Sequence, residues 1–269
     1  MIRLPKFPLF VPGHRADMMP KAAASGADMV IFDLEDAVAD ADKDVARSSV
    51  GQIGSQPVPV AVRVNTPSSP WFAYDLDAIN SNQISMVVLP KTENRLDLDR
   101  VSEAVGRDIP IMPIIETACG LHAVSDLLAH PSVELVSFGH LDFSLDIGAS
   151  SDWENLLFVR SQLVLQSRLA DAAPPLDGVT VSFDDPNFVS AEARRARDLG
   201  FGGKLLIHPR QVAPAKAVFQ PSEEDYKWAL LVLDAVAESR SAVKLDGAMI
   251  DMPVIKRAEQ IKWDFEAME

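Results

Sequence analysis

Cysteine is nearly absent from this sequence. Cys119 stands alone, so no intrachain disulfide can form, and a reducing cytoplasm is the expected compartment. Basic charge is in short supply too. Lys and Arg number 25 against 39 Asp and Glu, a formal net charge of −14. No basic stripe of the kind that tracks a phosphate backbone is visible, so nucleic acid is not an expected partner, and an anionic ligand would have to be met by a few local cations. No apolar run approaches the ~20 residues that span a bilayer. The opening Met1-Ile2-Arg3-Leu4-Pro5-Lys6 is followed by no uninterrupted apolar segment and no small-residue cleavage site, so neither a signal peptide nor a membrane partner is expected. The phosphate-cradling patterns GxxxxGK[ST] and strand-borne GxGxxG are missing as well.

What is present is periodic. Short runs rich in Val, Ile, Leu and Phe recur at Leu9–Pro12, Met29–Leu34, Val60–Asn65, Met86–Pro90, Ile111–Glu116, Glu134–Gly139, Gly178–Phe183 and Lys204–His208. They show little polar alternation, as strands buried on both faces do. Helix-like stretches lie between them: 16–25, 42–54, 72–81, 95–105, 121–128, 153–170, 188–199 and 210–219. Strand then helix, eight times over, predicts a parallel sheet. The 269 residues are close to the ~250 of a (β/α)₈ TIM barrel, although an open doubly wound sheet shares the alternation. The expected organisation is an α/β barrel domain over residues 1–220, followed by a C-terminal helical and lid extension over 221–269. The extension reads as a helix from Glu223 to Ser239 with Ser222 as N-cap, a loop from Val243 to Pro253, and a helix from Val254 to Phe265.

Barrel sites form at the C-terminal strand ends, and the runs end in polar residues that would converge there. The first is followed by Gly13-His14-Arg15 and the second by Asp33-Leu34-Glu35-Asp36. Then come Arg63 with Asn65, Lys91, Glu116-Thr117, Asp142, Asp184-Asp185 and His208. Glu116 and Asp142, on neighbouring units, are candidates to share a cation; a carboxylate at the start of the following helix is the other reading of Glu116. Hard oxygen ligands in so small a number suit Mg²⁺, which keeps water and substrate oxygens in its remaining positions. Zinc is disfavoured, because His and Cys are not clustered at ligand spacing. Asp33, Glu35 and Asp36 read either as a solvated helix start or as outer partners of metal-bound water. Arg63, flanked by Val62 and Val64, needs a carboxylate or ligand partner. It would polarise a carbonyl, stabilise an enolate, or tether Asp33 or Asp36. Arg15 suits an anionic group or is simply part of a surface turn. Lys91 stays open between the same two readings, and Cys119 has no evident base partner.

In this order, Leu9-Phe10-Val11-Pro12-Gly13, Phe32-Asp33-Leu34-Glu35-Asp36-Ala37-Val38, Val62-Arg63-Val64-Asn65, Leu89-Pro90-Lys91, Ile115-Glu116-Thr117-Ala118, Phe138-Gly139 with Asp142, Gly202-Gly203-Lys204, Ile207-His208-Pro209-Arg210-Gln211 and Gly247-Ala248-Met249-Ile250-Asp251-Met252-Pro253 resemble the HpcH/HpaI aldolase and citrate lyase β-subunit superfamily. The resemblance runs over nearly the whole chain. It implies a barrel, assembly as a homotrimer or hexamer, and Mg²⁺ held at the positions of Glu116 and Asp142. It also implies substrate contacts at Arg63, Asp33, Glu35 and Asp36, and a lid acid/base at Asp251 that works in a neighbouring subunit.

The Met-Ile-Asp-Met-Pro stretch is similar to the lids of citramalyl-CoA and malyl-CoA lyases and of citrate lyase β subunits. The implied activity is therefore cleavage of a 3-hydroxyacyl-CoA thioester to acetyl-CoA and a 2-oxo acid. The alternatives are a citrate lyase β subunit acting on a carrier-bound thioester with an acyl-carrier partner, or a non-catalytic metabolite-binding subunit. The last of these would bind ligand without metal and tolerate Asp251→Ala. Two positions depart from the family pattern and bear on the acyl group: Lys6, where an Arg is common, and Leu141, where an acid is common.

Overall fold

The computed structural model describes residues 4–79, 84–105, 109–237, 243–245 and 248–266. These fall into two compact units, residues 1–216 and 217–269. In the first, eight parallel strands follow one another in sequence order: β1 Pro8–Pro12, β2 Met29–Asp33, β3 Val60–Arg63, β4 Met86–Leu89, β5 Ile111–Ile115, β6 Ser137–Phe138, β7 Leu176–Asp177 and β8 Gly203–Lys204. The circle closes just past β8. There Leu9 bridges Leu206 in parallel, the Phe10 N–H donates to the Leu206 carbonyl at 2.8 Å, and the Leu206 N–H donates to Pro8 at 2.9 Å. The (β/α)₈ barrel expected from the alternation is the architecture found.

Helices fill the connections: α1 Met19–Ala23, α2 Lys43–Val50, α3 Phe72–Ile79, α4 Arg95–Val105, α5 Ala118–Leu128, α6 His140–Asp146, α7 Leu157–Leu169, α8 Pro186–Leu199 and α9 Val212–Phe219. Their ends are written locally. Thr117 caps α5 by accepting from the Gly120 N–H at 3.0 Å, satisfying a donor that the helix cannot. Asp185 caps α8 ahead of Pro186, and that helix stops at Gly200, whose φ of +111° suits a residue without Cβ.

The barrel interior follows from the period of two along each strand. Met29 and Ile31 on β2, Ala61 on β3, Met86 and Val88 on β4, and Met112 and Ile114 on β5 form one buried apolar cluster with Leu135, Leu176 and Leu205. The next inward position on three of these strands is polar. Ile31 leads to Asp33, Ala61 to Arg63 and Ile114 to Glu116. The same alternation that fills the core thus aims an acid, a base and an acid at the mouth.

Three expectations are corrected. The seventh strand is Leu176–Asp177 rather than 178–183, where Val181 and Phe183 are exposed. A fully buried Asp177 hides the strand from a search for apolar runs. It is tolerated because Arg160 Nε lies 2.9 Å away and Lys204 Nζ 3.2 Å away. A short helix, α6, stands where no element was expected, and it carries Asp142. In the second unit, α10 Glu223–Ala237 and α11 Met252–Glu266 are joined by an antiparallel pair, β9 Val243–Leu245 and β10 Ala248–Ile250, over residues expected to be loop. α10, β10 and α11 share an apolar cluster of Ala229, Val232, Ile250 and Ala258, and Tyr226 stacks on Phe265 with centroids 4.4 Å apart. Among the described residues no helix is long and apolar enough to cross a membrane.

Candidate active site

A cavity of about 330 Å³ opens at the C-terminal mouth of the barrel. Its polar lining is Asp33, Asp36, Arg63, Glu116, His140 and Asp142; Phe10, Ile114, Phe138, Leu141, Val179, Leu205 and Ile207 make the apolar part. A largely apolar cleft with a few convergent polar groups is the usual form of a small-molecule site.

Asp33 and Arg63 are register partners on adjacent strands and pair through two parallel bonds, Nε to Oδ1 at 2.7 Å and Nη2 to Oδ2 at 2.6 Å. Asp33 also accepts backbone N–H groups from Glu35 at 2.9 Å and Ala37 at 3.1 Å, so one carboxylate both orients the arginine and shapes the acidic loop. Burial drives the Asp33 carboxyl upward, but the Arg63 charge and the bonds it receives win, and it stays below the usual carboxylate range. The third nitrogen of Arg63, Nη1, lies 3.0 Å from Glu35 Oε2, and the guanidinium covers the Phe10 ring at 4.8 Å. Arg63 is therefore immobilised on several sides. A guanidinium carries five N–H groups, so donors remain for a ligand in the cavity.

Lys43 holds the acidic loop from behind. Its ammonium, buried on α2, donates to the carbonyls of Leu34 at 2.7 Å and Glu35 at 2.9 Å and to Asn65 Oδ1 at 2.7 Å. The sequence reading missed it, because a lysine at a helix start looks like surface. Asn65 in turn donates to the Leu34 carbonyl at 2.9 Å, tying the loops after β2 and β3 together, and to Asp75 Oδ2 on α3 at 2.6 Å.

Glu116 is buried, with Oε2 accepting the Lys91 backbone N–H at 2.8 Å. Burial and the neighbouring Glu35 charge push its carboxyl up to about 8 against the opposing pull of Arg63 and Lys91. Burial raises the Glu35 carboxyl as well. Asp142, in the first turn of α6, faces the same cavity. Among the described residues, the cations set against Asp33, Glu35, Asp36, Glu116 and Asp142 are Arg63 and Lys91. That acidic excess is what a divalent cation would neutralise. No three or more His, Cys, Asp or Glu side chains among the described residues are grouped as a metal site. Two carboxylates beside open space suit Mg²⁺, which keeps water and ligand oxygens.

Gly139 makes room for Glu116. A Cβ there would overlap Glu116 Cγ and Oε1. Gly139→Ala is expected to displace this carboxylate with the fold intact and to lower turnover by roughly 10²-fold, the scale of a misplaced reacting group. Circular dichroism with steady-state rates checks both halves.

Of the predicted residues in the first unit, Arg15 and Glu35 are not part of the cavity lining. Arg15 stands exposed on the loop after β1, paired with Asp17 at 2.8 Å. Asp251 belongs to the second unit, where it is exposed and its Oδ1 accepts the Val254 N–H at 3.2 Å at the start of α11. Of the two departures, Leu141 lines the cavity. Lys6 is exposed, its N–H bonded to Asp28 Oδ2 at 2.8 Å and its carbonyl accepting the Lys204 N–H at 2.8 Å. His140, which the sequence reading passed over, stands in the cavity wall next to Asp142.

Comparison with known proteins decides the family. The HpcH/HpaI aldolase/citrate lyase profile matches residues 6–209. The chain belongs to the HpcH/HpaI aldolase/citrate lyase family. It is thus an enzyme of a lyase family, as the resemblance implied. It is 35% identical to a citrate lyase subunit beta-like protein of Deinococcus radiodurans, covering 94% of each chain. It is 31% identical to a (3S)-malyl-CoA thioesterase of Cereibacter sphaeroides, covering 97% of this chain and 94% of that one. The crystal structure of CitE from Mycobacterium tuberculosis, in complex with magnesium, acetoacetate and coenzyme A, superposes with a TM-score of 0.88 at 30% identity, covering 97% of this chain and 98% of that one. Homologous CitE structures also hold magnesium with pyruvate and with oxaloacetate.

Proposed function

We propose that this chain is a Mg²⁺-dependent carbon–carbon lyase that cleaves a 3-hydroxyacyl-CoA thioester of the citramalyl-CoA or malyl-CoA type to acetyl-CoA and a 2-oxo acid. The observation that carries the reading is the convergence of Glu116, Asp142 and an immobilised Arg63 on one cavity at the barrel mouth. Glu116 and Asp142 are the proposed holders of Mg²⁺. When bound, the ion supplies a Lewis acid for the oxygen of the oxo-acid fragment. Arg63, fixed by Asp33 and Glu35, offers its remaining N–H groups to the same fragment, and a donor that is already oriented costs no reorganisation during the reaction. Asp36 completes the polar side of the cavity, while Phe10, Ile114 and Leu205 exclude water from the carbon skeleton. Asp251 is the proposed proton carrier, protonating the thioester carbon as the bond breaks and removing that proton in condensation. Arg15 is the proposed contact for an anionic group outside the cavity. A homotrimer or hexamer, in which Asp251 serves a neighbouring subunit, is part of the proposal, and sedimentation as a monomer would count against it.

The relatives named malyl-CoA thioesterase favour one second reading, hydrolysis of the same kind of thioester. Products separate the two. The test incubates citramalyl-CoA and malyl-CoA with wild type and Asp251→Asn, each with Mg²⁺ or EDTA. Acetyl-CoA together with a 2-oxo acid, dependent on Mg²⁺ and lost in the variant, is the expected result. Free CoA with the intact hydroxy acid identifies the thioesterase. Turnover of neither thioester moves the assignment to a citrate lyase β subunit that needs an acyl-carrier partner.

A further inference from the structure

The proposed reaction leaves Lys91 without a task, yet the structure holds it with unusual care. Its ammonium lies 3.2 Å from Glu35 Oε1 and 3.4 Å from Asp142 Oδ1. Its own backbone N–H is fixed to Glu116 Oε2 at 2.8 Å. The residue adopts φ +46°, a left-handed conformation in which lysine is uncommon and asparagine better accepted. The buried neighbour Thr92 donates to the Leu89 carbonyl at 2.7 Å and pins the turn. The backbone is thus clamped, while the side chain keeps about a third of its surface in solvent. A four-methylene chain on a fixed root can swing where the loop cannot.

We infer that Lys91 is the site's own counter-cation: its ammonium bridges Glu35 and Asp142, competes with a divalent cation for Asp142, and so sets the affinity of the site. The inference rests on the reading that Glu116 and Asp142 hold the metal. Like charges a few ångströms apart in a half-buried site repel far more strongly than they do in bulk water. A divalent ion on Asp142 must therefore displace this ammonium, which keeps Glu35 as its partner. Local backbone strain retained at such a point is the pattern expected where strain serves function.

The test measures Mn²⁺ binding to the full-length protein by the electron paramagnetic resonance of free Mn²⁺, for wild type, Lys91→Asn, Lys91→Arg and Glu116→Gln. Lys91→Asn suits the backbone and removes the charge. It is expected to bind Mn²⁺ on the order of tenfold more tightly, and its melting temperature without metal is expected to fall while the rise on adding Mn²⁺ grows. Lys91→Arg, which keeps the charge, returns affinity toward wild type. A purely structural role would move affinity the other way, so equal or weaker binding by a folded Lys91→Asn overturns the inference while leaving the metal reading intact. If Lys91→Asn does not fold, Lys91→Gln carries the same expectation. Wild type that takes up no Mn²⁺, with Glu116→Gln indistinguishable from it, overturns both.

Discussion

Arg63→Met is expected to lower stability by about 3–5 kcal/mol and to abolish turnover. Asp33 is fully buried and depends on Arg63 for two of its bonds, and Glu35 loses the Nη1 contact at the same time. Removing the cation leaves uncompensated charge in the barrel, which is the costly half of a buried ion pair. The pair itself need not stabilise the fold, because two desolvated ions roughly offset their attraction. The double variant Arg63→Met/Asp33→Leu is therefore expected to recover much of the lost stability while remaining inactive. Chemical denaturation of the three proteins reads the first effect and thioester turnover the second. Recovery of activity in the double variant would show that Arg63 acts only as a support for Asp33, with no contact to the substrate. A double variant as unstable as the single one would move the cause from the orphaned carboxylate to lost packing over Phe10.

Much of this arrangement was legible in the chain because two periods coincide. Runs such as Met86–Leu89 and Ile111–Ile115 are apolar on both faces, as covered parallel strands are. Stepping by two along them leads from the core to Arg63 and Glu116 without any knowledge of the fold. The parts that stayed hidden share a physical cause, which is charge placed where hydropathy expects none. Asp177 disguised β7, since its burial depends on Arg160 and Lys204, distant in sequence. Lys43 looked like helix surface, because its three acceptors come from loops that only the folded barrel brings within reach. α6 was missed because it is short and starts straight after Gly139, with no side-chain cap to announce it. The antiparallel pair before Asp251 has strands of three residues each, too short for a periodicity to show. Lys91 was ambiguous for a different reason: its partners Glu35 and Asp142 lie on other units of the barrel.

Without a divalent ion the protein is expected to lose stability as pH rises from about 6.5 to about 8, and Mg²⁺ is expected to give that stability back. The sign follows from Glu116. Its folded carboxyl is pushed up from 4.5 to about 8, first by burial and then by the Glu35 charge. Between those values the folded protein holds a proton that the unfolded chain has released. The stabilising contribution is complete below the unfolded value and disappears as pH passes through the folded one. Glu35, raised by burial, adds to the same slope. His140, pushed down from 6.5 to about 4 by burial, works the other way below about 6.5, which leaves the loss visible between there and about 8; Asp33 and Asp177 are held low and Lys91 high, so their effects fall below and above this window. A tenfold difference in proton affinity between the folded and unfolded chain is worth about 1.4 kcal/mol, so the loss across the window is of the order of a few kcal/mol. Glu116→Gln, neutral at every pH, should flatten the slope. The same proton makes metal uptake pH-dependent, because a ligand carboxylate must first be ionised. Mg²⁺ affinity should rise with pH up to about 8 and then level off, with up to one proton released per ion bound at neutral pH. Calorimetry in buffers of differing ionisation enthalpy counts that proton directly. Release of none, with a flat stability profile in wild type, would mean that Glu116 is already ionised and that the acidic cluster is neutralised by Arg63 and Lys91 alone.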